Sequence, residues 1–125
     1  IDDTQLIARN RINLQILKNT PKMPHTILLL QATKNELSRT YADFDSLNEA
    51  LEGICKIYEE DLKKRHLKSK QITYDVSQLF DFVDGLTDLS CLILDKSEYR
   101  YCPYDKNWIK EKIYVLLRKQ AGKSE

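Results

Sequence analysis

The stretch Thr26-Ile27-Leu28-Leu29-Leu30-Gln31 decides the fold, because four aliphatic side chains follow one another between polar residues. A run of this length is typical of a β-strand, and successive side chains of a strand point to opposite faces of the sheet. Both faces of this strand are therefore apolar. A sheet with one face in water would alternate apolar and polar positions instead.

A second apolar run repeats this pattern. Residues 89–94 are predicted to form a strand with Leu89, Cys91 and Ile93 on one face, whereas Leu92 and Leu94 lie on the other. In the next predicted strand, Tyr99 and Tyr101 add aromatic area to a single face. The sheet is thus predicted to be apolar above and below.

Helical segments separate and follow two predicted hairpins. Helix starts are marked by a Ser-to-Glu capping box and by an aspartate at an N-cap position. The order strand-strand-helix-helix-strand-strand-helix predicts an α+β fold, a four-stranded antiparallel sheet with three helices on one face. The predicted elements are strands 26–31, 39–44, 89–94 and 98–102, a helix from the capping box Ser46–Glu49 to about Lys64, a helix from Asp75 through Leu86, and a helix from Lys106 to about Gln120.

The composition narrows the classes of function. The chain has 125 residues, which suits a single domain, and its 20 basic and 19 acidic residues give no whole-chain attraction for nucleic acid or an anionic membrane. Its apolar runs are far shorter than the roughly 20 residues of a membrane span. Three cysteines without CxxC spacing and two isolated histidines predict no disulfide framework, metal site or cofactor, so an enzyme is disfavoured.

The second apolar sheet face requires a cover, because three helices on so short a chain shelter only one side. A second copy of the chain, packed sheet to sheet about a two-fold axis, is the cover we expect. Packing of residues 1–22 or of a loop over this face is the alternative. The predicted dimer interface consists of Ile27, Leu29, Leu92, Leu94, Tyr99 and Tyr101.

Four stretches give the chain a family resemblance. Residues 25–31 (HTILLLQ), 39–43 (RTYAD), 72–82 (ITYDVSQLFDF) and 105–117 (DKNWIKEKIYVLL) resemble the enhancer of rudimentary homologue family. The resemblance extends from Met23 to about Ala121, and it implies an α+β protein of the nucleus, or of the nucleus and the cytoplasm, that forms a homodimer through its sheet. It further implies a non-enzymatic adaptor that binds peptide segments of RNA-processing proteins in splicing, transcript elimination or small-RNA biogenesis. A direct RNA-binding module and, behind it, a small dehydratase-like enzyme are the alternatives.

Residues 1–22 have no counterpart in this resemblance and precede the predicted domain of residues 23–121, which a tail of residues 122–125 follows. They are interpreted either as a partner's binding peptide fused ahead of Met23 or as a natural extension. Ile12, Leu14 and Ile16 alternate with other residues, as expected for bound-segment anchors in strand addition or in a groove.

Some helical side chains lie off the predicted core stripes. Phe82, Trp108 and Val115 are candidates for partner-peptide binding, although burial between adjacent helices explains them equally well. Thr40 and Ser46 each precede an acid by three residues, a casein kinase II spacing with which the family is associated. The helix cap explains Ser46 without phosphorylation. The basic run 63–70 is interpreted as a solvated helix end rather than an RNA site.

Overall fold

The computed structural model describes residues 24–65 and 73–123. Within them, four strands and three α-helices follow the predicted β-β-α-α-β-β-α order, and a 3-10 turn at Glu36–Ser38 joins the first two strands. The elements are β1 (Thr26–Gln31), β2 (Arg39–Phe44), α1 (Leu47–Arg65), α2 (Val76–Gly85), β3 (Asp88–Asp95), β4 (Arg100–Tyr104) and α3 (Lys106–Lys123).

The strands form one antiparallel sheet in the order β2-β1-β3-β4. The two apolar strands, β1 and β3, are therefore its neighbouring central strands. Leu28 pairs with Ala42 of β2 on one side and with Cys91 of β3 on the other. This register places Leu28, Cys91 and Leu89 on one face, where all three are buried against the helices.

The helices begin where polar side chains satisfy free backbone N–H groups. The Ser46 hydroxyl accepts the Glu49 N–H at 3.2 Å, and the Asp105 carboxylate accepts the Trp108 N–H at 2.9 Å. Inward-facing residues of the helices then close the core against the sheet. The fully buried side chains of this core include Ile54, Leu79, Val83, Ile109 and Ile113.

The predicted start of the fourth strand is wrong. Instead of beginning at Glu98, β4 begins at Arg100, because the Asp95 side chain organises a turn over the intervening residues. Its Oδ1 accepts the N–H groups of Ser97 and Glu98 and the Ser97 hydroxyl, and the hydroxyl contributes most to lowering the pKa of the Asp95 carboxyl. Tyr99 therefore lies in the turn, with a φ of 54° and 92% of its surface exposed.

The other differences from the predicted bounds are small. β4 ends at Tyr104, two residues beyond its predicted end, β3 and α3 are longer than predicted, and α2 ends at Gly85 rather than Leu86. In residues 24–65 and 73–123, no helix is long and apolar enough to cross a membrane. The expectations for residues 1–22, including Ile12, Leu14 and Ile16, and for residues 66–70 of the basic run lie outside the described residues.

Candidate functional site

One face of the sheet carries an apolar surface that is not part of the core. The register sets Ile27 opposite Leu92, and Leu94 opposite Tyr101, while Leu29 projects from the same side of β1. These five side chains are absent from the buried core and from the partly buried side chains packed on it. We call them the open face. Their neighbours within the sheet leave the four aliphatic side chains half-buried, and Tyr101 is 40% exposed.

Five of the six residues predicted for a dimer interface thus lie together, and Tyr99 lies in the turn beside them. Tyr41 was not predicted to belong to this surface, but it pairs with Leu29 from the edge strand β2 and is 78% exposed. Tyr41 joins this surface because β2 is the neighbour of β1, and the alternation of side chains along one strand does not predict which strands pair.

Polar side chains frame the open face at both ends. At one end, His25 Nδ1 and the Tyr101 hydroxyl are hydrogen-bonded at 2.9 Å, and His25 Nε2 lies 3.6 Å from Asp43 Oδ2. At the other end, Arg39 Nε donates to Gln31 Oε1 at 3.0 Å. An apolar centre with a polar border is the usual anatomy of a protein–protein interface.

A groove lies on the helical side of the sheet, between α1 and α3. The Trp108 indole stacks on the Tyr104 ring at a centroid distance of 4.1 Å, and the Lys112 ammonium lies 5.2 Å from the indole centre. Val115, on the next turns of α3, is 46% exposed. We call this cavity of about 310 Å³ the α1–α3 groove. It is lined by Pro24, Leu47, Asn48, Leu51, Ile93, Trp108, Lys112, Val115, Leu116 and Lys119.

Phe82 lies elsewhere. It packs on the Tyr58 ring at 4.9 Å in a cleft of about 650 Å³ between α1 and α2, which Asp61, Arg65 and Asp81 also line. Burial raises the pKa of the Tyr58 hydroxyl, and the Arg65 guanidinium opposes this shift. The structure therefore brings two of the three predicted peptide-binding residues together, Trp108 and Val115, and separates the third from them.

The remaining candidates have plain structural settings. The Ser46 hydroxyl serves as the cap of α1, as its sequence context predicts, whereas the Thr40 side chain is exposed on the edge strand. Cys55 and Cys91 are buried, and burial raises the pKa of the Cys91 thiol to about 11. Across the described part of the chain, no three metal-ligating side chains come together. Neither phosphorylation candidate is distinguished further by its surroundings.

The fold and its surfaces define a small α+β domain whose helices cover one face of a four-stranded sheet, and within residues 24–65 and 73–123 the other face is apolar and uncovered. The family model described as Enhancer of rudimentary matches residues 22–123. The chain belongs to this family.

Relatives from distant organisms agree with this membership. The protein enhancer of rudimentary of Drosophila virilis is 60% identical over 99 residues, which cover 79% of this chain and 95% of the relative. The enhancer of rudimentary homolog of Caenorhabditis elegans is 51% identical over 100 residues, covering 80% and 97%. The homolog 1 of Schizosaccharomyces pombe is 32% identical over 89 residues, covering 71% and 82%. The resemblance seen in the sequence is confirmed.

Proposed function

We propose that this chain is a non-enzymatic homodimeric adaptor of the nucleus that joins peptide segments of RNA-processing proteins. Two copies associate through their open faces, and each copy presents binding surfaces on its helical side. A two-fold dimer then offers two equal sites, so a partner that carries two segments, or is itself dimeric, gains avidity without any new contact.

The observation that carries the dimer is the continuity of the open face. Ile27, Leu29, Leu92 and Leu94 come from the two central strands, and Tyr101 extends the patch onto β4. Apolar patches of this kind on monomeric proteins are rare and mark sites of association. The polar border around His25 and Gln31 supports the same reading, because it would set the register between two copies.

The RNA-processing partners come from the family resemblance, and the helical side supplies a fitting surface. Trp108 is the kind of large aromatic side chain that dominates binding energy at protein interfaces. It borders a groove together with the exposed Val115. The groove and the open face lie on opposite sides of the sheet, so a dimer would leave both grooves accessible.

The dimer is tested by the mass of the protein in solution. We expect light scattering to give the native chain twice the 14.7 kDa mass of one copy. It should give Ile27→Arg the mass of a monomer, because the substitution places a charged side chain from each copy in the apolar interface. Leu37→Arg is the matched control, since Leu37 is 90% exposed in the 3-10 turn. Circular dichroism checks that both variants stay folded. A monomeric native chain, or a dimeric Ile27→Arg variant, overturns this interface.

Direct RNA binding is the competing function, and filter binding separates it from the adaptor. We expect no salt-sensitive binding of the purified protein to single-stranded RNA at physiological salt. An affinity at about the micromolar level that falls steeply with salt would overturn the adaptor proposal, because backbone contacts to RNA release counterions.

A further inference from the structure

The α1–α3 groove has a distinct polarity. Seven of its ten lining residues are apolar, one is Asn48, and two are the lysines Lys112 and Lys119; this lining contains no carboxylate. We propose that the groove binds an apolar peptide segment that carries acidic residues. This inference rests on the proposed adaptor function and specifies the chemistry of the partner.

The floor of the groove is built to hold apolar side chains. Leu47, Leu51 and Leu116 are buried at its base, and Ile93 of β3 closes it from the sheet side. The Trp108 indole forms one wall and is held in place by its stack on Tyr104. A wall fixed in this way loses little side-chain entropy on binding, which favours affinity.

The two lysines of the groove differ from Lys106 and Lys110 on the same helix. Lys106 donates to the Leu86 carbonyl at 2.7 Å, and Lys110 pairs with Asp84 at 2.7 Å. Among the described residues, Lys112 and Lys119 form no ion pair with a carboxylate, and the Lys112 ammonium approaches the Trp108 ring at 5.2 Å from its centre. Their positive charge is therefore available to a ligand at the rim of an apolar groove.

Charge also distinguishes among three candidate occupants of the groove, which are residues 1–22 of this chain, RNA and a separate peptide. Residues 1–22 precede Pro24, a lining residue of the groove, in the sequence, but they carry four basic residues, Arg9, Arg11, Lys18 and Lys22, against Asp2 and Asp3. Their net charge has the same sign as the rim. RNA needs a sustained positive track for its phosphates, and two lysines around an aliphatic floor do not supply one. A separate acidic and apolar peptide fits both the floor and the rim.

The test uses three synthetic ten-residue peptides that share the same leucine and phenylalanine positions and carry glutamate, serine or lysine between them. Trp108 is the single tryptophan of the chain, so its fluorescence reports occupancy of this groove directly when the peptides contain none. Anisotropy of a labelled peptide gives the affinity independently. We expect the glutamate peptide to bind about tenfold more tightly than the serine peptide, and the lysine peptide to bind most weakly.

Charge reversal at the rim provides the decisive comparison. The double variant Lys112→Glu/Lys119→Glu should lose about tenfold in affinity for the glutamate peptide and gain affinity for the lysine peptide, since two attractions become repulsions. Lys34→Glu/Lys63→Glu is the matched control, because it makes the same charge change in the β1–β2 connection and in the last turn of α1, at residues that do not line the groove. Its affinities should equal those of the native chain.

Several outcomes overturn the inference. These are equal affinity for the three peptides, no binding of any of them, a Trp108 signal that single-stranded RNA produces instead, or an unchanged charge preference in the double variant. These outcomes concern peptide binding and say nothing about whether the protein is a dimer. The homodimer is tested separately: a monomeric mass in light scattering overturns it, whichever peptide binds most tightly to the groove.

Discussion

Two adjacent leucines on β1 allow the two faces of the sheet to be separated by experiment. Leu28 is 4% exposed and faces the helices, whereas Leu29 points to the open face and is half-buried. Leu28→Ala removes a buried side chain and leaves a cavity beneath α1, which costs about 3 kcal/mol of folding free energy. The same substitution one residue later should act on a different equilibrium.

The effect of Leu29→Ala follows from its partial burial. Full burial of a leucine contributes about 2 kcal/mol, and most of the Leu29 surface is already buried within one copy, so about 1.5 kcal/mol of this is already realised. The remainder, about 0.5 kcal/mol, would be realised on dimerisation. Because a two-fold interface contains the residue twice, Leu29→Ala should weaken the dimer by about 1 kcal/mol, or about fivefold in its dissociation constant.

Urea unfolding at two protein concentrations and sedimentation equilibrium measure the two effects separately. Leu28→Ala should lower the unfolding free energy at every concentration and leave the subunit dissociation constant nearly unchanged. Leu29→Ala should raise the dissociation constant about fivefold and lower the unfolding free energy of dilute protein by about half as much as Leu28→Ala does. If Leu29→Ala destabilises dilute protein as strongly as Leu28→Ala does, the assignment of faces is wrong. A dissociation constant that Leu29→Ala leaves unchanged would place the dimer contact elsewhere.

Three further predictions concern the fold. Tyr99→Gly should raise the unfolding free energy by about 0.5–1 kcal/mol in urea titrations, because glycine adopts a φ of 54° without strain; a decrease would show that the tyrosine ring makes a stabilising contact. Ser46→Ala should cost about 1 kcal/mol through loss of the α1 cap, and Ser46→Asp should restore it, whereas equal losses in both variants would argue against capping. Burial raises the pKa of the Cys91 thiol from 9.0 to about 11. Between pH 9 and pH 11 this thiol therefore ionises in the unfolded chain but not in the folded one, so the free energy of unfolding should fall by up to about 3 kcal/mol as the pH approaches 11. The variant Cys91→Ala should lack this part of the pH dependence, and an identical slope in both proteins would contradict it.

The bounds of β1 and β2 could be predicted because polar residues and turn formers delimit them on both sides. The start of β4 could not, since it depends on the Asp95 side chain, which bonds to Ser97 and Glu98 and lengthens the turn. A period-2 pattern contains no information about such a side-chain contact. The pattern therefore assigned Tyr99 to β4, although this strand begins at the following residue, Arg100.

The existence of two apolar sheet faces was evident from local pattern, but the composition of the surfaces was not. Alternation along one strand assigns Ile27 and Leu29 to a common face without saying which strands lie beside them. The α1–α3 groove is harder still, because Pro24, Ile93 and Trp108 are distant in sequence and meet only in the folded chain. For the same reason, the sequence could not show that Phe82 and Trp108 lie in different clefts of the folded chain.

The central strand β3 connects the two proposed surfaces. Leu92 and Leu94 belong to the open face, while Ile93 between them lines the α1–α3 groove on the other side of the sheet. The alternation of a strand thus gives the two surfaces different side chains, so a second copy on the open face and a peptide in the groove would not compete for any of them. They would still share one backbone, and the packed core beneath Ile93 does not deform freely. Binding on the two sides of β3 would therefore be sterically independent, and the shared strand is one route by which the two surfaces would be coupled.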